Sequence, residues 1–285
     1  MKKILVPTDF SKPAKLATDA AIAIAKKAKA QIVLLHILEQ PSSKSFNVTG
    51  EASSGDSWEE KLFTMRLIER AKNEFTKIVQ EAESEGVKVS QHLRLGNPFH
   101  GMQTVITELN VDLVVMGTSG RSKLEEMLVG SNTEKVVRHA HCPVLTIHEK
   151  PSNTDFKNII YATSMTENEK SFSDVIKNVQ EIYDATVHIV RINTPMNFRP
   201  DTEVKTIMRN FAKKIRLKNY TLNVFNDLSE EEGIIHFADS IQADLIGMAT
   251  HGRTGFAHVL AGSVAEDVVT HSKRPVLTYL IKGGI

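Results

Sequence analysis

A chain of 285 residues, 41% apolar and 24% charged, is long enough for one large or two ordinary domains and has the composition of a soluble globular protein. A formal charge of +1 argues against a non-specific hold on nucleic acid or an anionic membrane, and no apolar run nears the roughly 20 residues needed to cross a bilayer. The opening MKKILVPTDF echoes a signal peptide, but its apolar run stops at Pro7; the single cysteine, Cys142, excludes an internal disulfide, so a cytoplasmic protein is expected.

In chain order, KKILVP is a short apolar run suited to a buried strand, and AKLATDAAIAIAKKAKA carries apolar residues at helical spacing. QIVLLHIL is strand-like. The segment 40–60 is rich in Ser and Gly and reads as a mobile loop. LFTMRLIERAKNEFTKIVQEAESEG is a long amphipathic helix with Gly86 as its C-cap. VKVSQHLRLG is a strand, and PFHGMQTVITELN a helix with Pro98 in its first turn. VDLVVMG is a strand, SNTEKVVRHA a helix, and PVLTIH a last strand.

The pattern then repeats. MKKILVPTDFSK is answered by FKNIIYATSMTE at 156–167, and AQIVLLHIL (30–38) by ATVHIVRIN (185–193). VDLVVMGTSGRSKLEEMLVGS (111–131) is answered by ADLIGMATHGRTGFAHVLAGS (243–263), and HCPVLTI by KRPVLTY. The polar, proline-containing EKPSNTDF separates the copies, giving domains at 1–149 and 156–285. Strands alternating with helices imply, in each copy, an α/β domain with a parallel sheet covered on both faces. Ligands of such sheets bind beyond the carboxyl ends of the strands, where the strand order reverses.

Two loops meet that edge. After VDLVVM come Gly117, Gly120, Gly130 and Ser131 in the spacing G-x2-G-x9-G-S. The two leading glycines would allow positive φ and close approach of a ligand to main chain. Gly130-Ser131 would open a helix whose free N–H groups and dipole attract an anion, with Ser131, Thr133 and Arg121 as further donors. Glycine turns and Ser/Thr caps also begin many helices that hold no ligand. At the other side, Asp9 ends the first strand and can accept hydrogen bonds from a ribose or base. It can equally serve as an N-cap, a role for which Ser11 competes. His36 and Ile37 end the second strand, where an apolar side chain can pack on a purine. No G-K-[ST] triplet and no G-x-G-x-x-G after the first strand are present, which excludes a P-loop and a dinucleotide fingerprint.

ILVPTDFS, IVLLHILE, VVMGTSGR and the long glycine spacing resemble the universal stress protein family in its tandem two-domain form. The resemblance implies two Rossmann-like (adenine nucleotide alpha hydrolase-like) domains, each a five-stranded parallel sheet. For one subset of the family it also implies bound ATP, with which Mg²⁺ could be recruited. It places Asp9 at the ribose or base and Ile37 at the adenine. Met116 and Gly117 fall at the sugar–phosphate turn, and Gly120, Arg121, Gly130, Ser131 and Thr133 around the phosphates. It further implies that the two domains meet through their last strands as an internal pseudo-dimer, and a homodimer is left open.

The second copy departs from this pattern: Asp9 becomes Ser164, Gly117 becomes Ala249 and Thr133 becomes Ala265, while Gly252, Gly262 and Ser263 survive. One competent nucleotide site per chain is therefore expected, with His251 and Arg253 keeping some attraction for an anion. His139, His141 and Cys142 are too compactly spaced for a helix-face metal site, and Cys142 suits a packing role. Ser229 with the three glutamates after it reads as an N-cap and first turn, and RNFAKKIRLK (209–218) as the solvated face of a helix. No acidic metal ligand stands beside the glycines, which favours holding ATP over turning it over. The readings are a nucleotide-dependent stress-response protein, a nucleotide-independent interaction or chaperone-like module, or a slow ATPase.

Overall fold

The computed structural model describes residues 1–39, 58–118, 130–151, 153–251 and 264–281. The first half contains β1 (Lys3–Pro7), α1 (Lys12–Ala28), β2 (Gln31–Leu38), α2 (Trp58–Ser84) and β3 (Val89–Leu95). It continues with α3 (Pro98–Leu109), β4 (Leu113–Gly117), α4 (Ser131–His139) and β5 (Val144–Ile147). The second half repeats the alternation as β6 (Asn158–Ala162), α5 (Lys170–Tyr183), β7 (Thr186–Asn193), α6 (Asp201–Lys214) and β8 (Tyr220–Asn226). It ends with α7 (Glu230–Ser240), β9 (Leu245–His251), α8 (Val264–His271) and β10 (Val276–Ile281). Among the described residues no helix is long and apolar enough to cross a membrane.

The strands form one sheet in the order β3-β2-β1-β4-β5-β10-β9-β6-β7-β8. Each half is a five-stranded parallel sheet, and the join is the antiparallel pair β5–β10, with Val276 opposite Thr146 and Thr278 opposite Val144. Both threonines are buried here, and each hydroxyl donates across the seam, Thr146 to the Val276 carbonyl at 3.2 Å and Thr278 to the Val144 carbonyl at 3.3 Å. Those bonds satisfy side chains that a buried strand would otherwise strand without partners. The two last strands thus cover each other's edges, as exposed strand edges tend to do.

The faces of the sheet differ. On one face a single core runs through both halves, with residues of α1, α2, α5 and α6 against alternate strand residues from Ile4 and Ile32 to Leu245 and Leu277. On the other face α3 and α4 pack with Val33, Leu35 and Met116, and α7 and α8 form a separate cluster with Val190 and Met248. Alanines 14, 17, 20, 21 and 25 are buried along α1, so its backbone lies close to the sheet. Ser11 caps α1 by accepting from the Ala14 N–H at 3.3 Å, and Lys29 closes it in the left-handed conformation at φ +52°.

The boundaries largely follow the pattern read from sequence. β2 and β7 lie where read, and Gly86 (φ +77°) follows α2 in the left-handed region. α2 begins at Trp58, inside the segment read as loop. Its first turns carry Trp58, Phe63 and Met65 on the outside, so no buried stripe marks the start. The rest of that loop reading, 40–57, lies outside the described residues. Ser229 caps α7 through the Glu232 N–H at 3.3 Å, as expected. The 209–218 run is less solvated than read: Phe211, Ala212, Ile215 and Leu217 are buried between its exposed lysines.

Candidate functional site

β1 lies between β2 and β4, which makes its carboxyl end the point where strand order reverses in the first half. A cavity of about 360 Å³ opens there. Asp9, Ile37, Met116, Gly117, Gly130, Ser131 and Thr133 all line it, with Met102 and Glu39 beside them. Gly120 and Arg121 lie outside the described residues.

The β1 side is a tight turn. Phe10 takes φ +61°, its N–H donates to Thr8 Oγ1 at 3.0 Å, and Ser11 N–H donates to Asp9 Oδ1 at 3.0 Å. Asp9 therefore braces the turn while Ser11 caps the helix, which answers the competition left open by the sequence. His36 Nδ1 lies 2.7 Å from the Thr8 carbonyl, so Nδ1 carries the proton and donates. The His36 ring packs on Phe10, with centroids 4.6 Å apart, and on Phe75 at 6.5 Å. It is thus a prop for the turn.

Ile37 faces the opposite way, toward α3. A Cβ added at Gly101 would stand 2.7 Å from Ile37 Cδ1, so the bare helix position gives Ile37 its place at the cavity. Sequence reasoning missed Gly101 and Met102; the signal available was a glycine inside an otherwise helical run.

Gly117 corrects one expectation. Among the described glycines only Gly86 and Gly96 have positive φ. Gly117 is bare for a different reason: a Cβ would sit 2.8 Å from both the carbonyl carbon and oxygen of Pro13 and 3.0 Å from its Cβ. The first turn of α1 leans directly on the end of β4. Thr133 departs from its expected part as well. It is buried, and its hydroxyl donates to the Gly117 carbonyl at 2.9 Å, tying α4 to β4. Its proton is committed to that bond, so Thr133 shapes the cavity wall and is not set as a donor to a phosphate.

The start of α4 completes the wall. Gly130 is its N-cap, with φ −62° and ψ 140° and no side-chain cap bond; its own N–H donates to the Thr118 carbonyl at 2.6 Å. Thr118 is buried and its hydroxyl pairs with His148 Nδ1 at 2.8 Å. A nine-residue helix thus presents its positive end, uncapped by a side chain, to the cavity beside exposed Ser131. Asp9 and Glu39, at the ends of β1 and β2, supply the acidic groups of the lining.

The second half keeps the turn and changes its support. Met165 takes φ +62°, and its N–H donates to Thr163 Oγ1 at 2.8 Å, as Phe10 does to Thr8. Ser164, in the place of Asp9, is exposed. The carboxylate comes instead from Glu169, which is 1% exposed. It accepts from the Thr163 hydroxyl at 2.5 Å, the Tyr161 hydroxyl at 3.3 Å, and the Thr166 N–H and hydroxyl at 3.3 and 3.2 Å. Burial beside this carboxylate holds the Tyr161 phenol well above its ordinary value. Sequence reasoning missed Glu169, which the capping-box spacing from Thr166 could have flagged.

Ala265, in the place of Thr133, is buried and has no hydroxyl to donate to Ala249, which lies inside β9, two residues before its end. The close approach of the crossover helix moves to Gly247, where a Cβ would meet Ile176 Cδ1 at 2.6 Å. Gly117 and Thr133 both serve the packing of α1 and α4 on the end of β4, whereas Asp9 braces the turn that leads into α1. Gly252, Arg253, Gly262 and Ser263 lie outside the described residues, as does the side chain of His251.

Among the described residues no cluster of His, Cys, Asp and Glu could hold a metal ion. Cys142 is buried and its thiol is pushed up to about 12 by burial, which suits packing and not nucleophilic work.

Comparison with known proteins agrees with this architecture. The family model described as the universal stress protein family matches residues 1–148 and 227–279. A universal stress protein of Methanocaldococcus jannaschii is 33% identical over 158 residues, covering 53% of this chain and 97% of its own length. A crystal structure of a universal stress protein from Archaeoglobus fulgidus shares the fold, with TM-score 0.78, 18% identity and 98% of both chains covered. A universal stress protein solved in complex with cAMP also matches, at 18% identity over 45% of this chain and TM-score 0.37, a likeness too slight to argue from. The chain belongs to the universal stress protein family.

Proposed function

We propose that this is a cytoplasmic stress-response protein whose N-terminal domain, residues 1–149, binds ATP, while the C-terminal domain, residues 156–285, has lost that capacity. The observation that carries the reading is the convergence of Asp9, Ile37, Met116, Gly117 and the Gly130–Ser131 helix start on one cavity at the strand-order reversal. In this reading the adenine packs on Ile37 and Met102, and the ribose hydroxyls donate to Asp9. The phosphates take the positive end of α4 together with Gly120 and Arg121. Mg²⁺, when bound, neutralises phosphate charge, and Ser131 is the side chain set to assist in holding it.

The same arrangement favours holding over hydrolysis. Asp9 is engaged in the turn it braces, and Glu134, one turn into α4, is engaged by Arg138 at 2.9 Å. Bound ATP then acts by mass action, stabilising the folded N-terminal domain by about 2.7 kcal/mol at a hundredfold excess over Kd. The two domains act as an internal pseudo-dimer through β5 and β10.

A second reading has one observation in its favour. Gly117 and Thr133 already have structural work, against Pro13 and within the β4–α4 clamp, so their motif positions suit a nucleotide-independent interaction module as well. Thermal unfolding with and without millimolar MgATP separates the two. The ATP reading predicts a rise in Tm that Gly120→Val abolishes and Gly252→Val preserves. No rise in the parent protein overturns it.

A further inference from the structure

The α4 side of the β1–β4 crevice is held by a residue that does not line it. Thr118 follows β4, and its carbonyl accepts from the Gly130 N–H at 2.6 Å, so the end of β4 and the start of α4 are joined directly. Thr118 is fixed in turn from the seam between the halves. Its N–H donates to the Ile147 carbonyl at 3.2 Å, and its hydroxyl lies 2.8 Å from Nδ1 of His148, the residue that follows β5. Among the described residues the imidazole is the one hydrogen-bond partner of that buried hydroxyl. Neither Thr118 nor His148 is among the residues that line the cavity.

The second half shows what the fold does without this bond. The match of VDLVVMGTSGR with ADLIGMATHGR puts Thr250 in the place of Thr118, and that of HCPVLTI with KRPVLTY, carried one residue further, puts Leu280 in the place of His148. The register agrees: Thr250 lies opposite Leu280 in the β9–β10 pair, and Gly117 opposite Ile147 in β4–β5, one residue before Thr118 and His148. Thr250 is buried, and its hydroxyl has no partner among the described residues. The second half folds with a leucine here and bears the cost of that unpaired group, so the architecture alone does not call for the histidine. The histidine stands in the half that has the crevice.

We propose that His148 is a positioning residue of the nucleotide site: from the seam it fixes Thr118, and through Thr118 the N-terminus of α4, in the place where the phosphates are taken. The inference rests on the ATP reading and adds a further point on which the halves differ. Without the imidazole the Thr118–Gly130 link loses a support, and bound ATP has to do the ordering that the protein now does in advance. The effect falls on the phosphate end, because the sugar and base sides, at Asp9 and Ile37, are shaped by other contacts.

The test uses the full chain and isothermal titration with MgATP and, separately, with adenosine, which has the base and sugar and no phosphate. His148→Leu, the second half's own residue, should weaken MgATP about fivefold, the worth of one neutral hydrogen bond, and leave adenosine affinity within about twofold. His148→Asn, which keeps a polar atom near the place of Nδ1, should recover most of the loss. Thr118→Val should weaken MgATP to the same extent, and adding His148→Leu to it should cost nothing more, because the two side chains act as one pair. Thr118→Val also carries the test should His148→Leu fail to fold, as judged by circular dichroism. A parent chain that binds no MgATP would overturn the ATP reading and this inference with it. With a parent that binds, the inference alone is overturned if His148→Leu binds MgATP equally well, loses adenosine in the same proportion, or is matched in its loss by His148→Asn.

Discussion

Replacing Gly117 by Ala adds one methyl at the place where α1 leans on β4. The obstacles are the carbonyl carbon and oxygen of Pro13, both 2.8 Å from the new Cβ, where an unstrained contact needs at least 3.4 Å. Backbone cannot rotate away, so the first turn of α1 has to move by roughly half an ångström or more, and Ala14 and the Ser11 cap move with it. Overpacking of this kind costs about 1–3 kcal/mol. At about 2–4 °C per kcal/mol for a chain of this size, a fall in Tm of roughly 2–12 °C is expected. Gly247→Ala is the internal control. Its new Cβ would approach closer still, 2.6 Å, but to Ile176 Cδ1, the far end of a side chain, while the nearest backbone atom, the Ile160 carbonyl oxygen, stands 3.3 Å away. Its cost should stay near 1 kcal/mol or below. Differential scanning calorimetry of both variants decides: a loss at Gly247→Ala equal to or larger than that at Gly117→Ala would refute the assignment of backbone contact as the reason for the glycine.

Three further outcomes follow from the same geometry. Asp9→Ala removes a charge-assisted contact to the sugar, about 1.5–3 kcal/mol, so ATP affinity should fall about 10- to 150-fold by fluorescence titration with a labelled ATP analogue; a change below threefold would exclude Asp9 from the site. Glu169→Gln sets an amide N–H₂ against the Thr163 or Thr166 donors that the carboxylate now accepts from. A loss of about 1–3 kcal/mol is expected in denaturant unfolding, with ATP affinity unchanged, and a weakened ATP affinity would contradict the separation of the halves. His236 Nδ1 donates to Asp227 at 2.7 Å, and that bond raises the histidine pKa and lowers that of the carboxylate. The histidine's contribution to stability is therefore full below its ordinary pKa and lost as pH rises through the raised one; that of Asp227 is lost as pH falls through its depressed value. NMR titration should find His236 above the usual histidine value and lowered toward it in Asp227→Asn, and identical titrations in the two proteins would dismiss the pair.

The sequence carried the fold because its periods were clean. Buried parallel strands such as ILV and VVM read as unbroken apolar runs, and the alternation of period two and period 3.6 left one architecture. What it could not carry was the reason for individual residues. The glycine at 117 looked like a demand for positive φ, and it is a demand for space against Pro13, a contact between segments far apart in sequence. Thr133 looked like a phosphate donor because a hydroxyl at a helix start has two possible partners, and its neighbour across the gap, the Gly117 carbonyl, is visible only in three dimensions. Glu169 was passed over because acidic residues near helix starts are common at the surface, whereas this one is turned inward onto Tyr161 and Thr163. The replacements Ser164, Ala249 and Ala265 were legible as a set, and the structure adds that the positions of Ala249 and Ala265 share one packing arrangement in the first half.

The central claim is that the first half alone retains a nucleotide crevice. Isothermal titration of the intact chain with MgATP measures this directly. The account predicts a single site, one ATP per chain, abolished by Gly120→Val; two equivalent sites per chain, or no heat of binding at all, would contradict it.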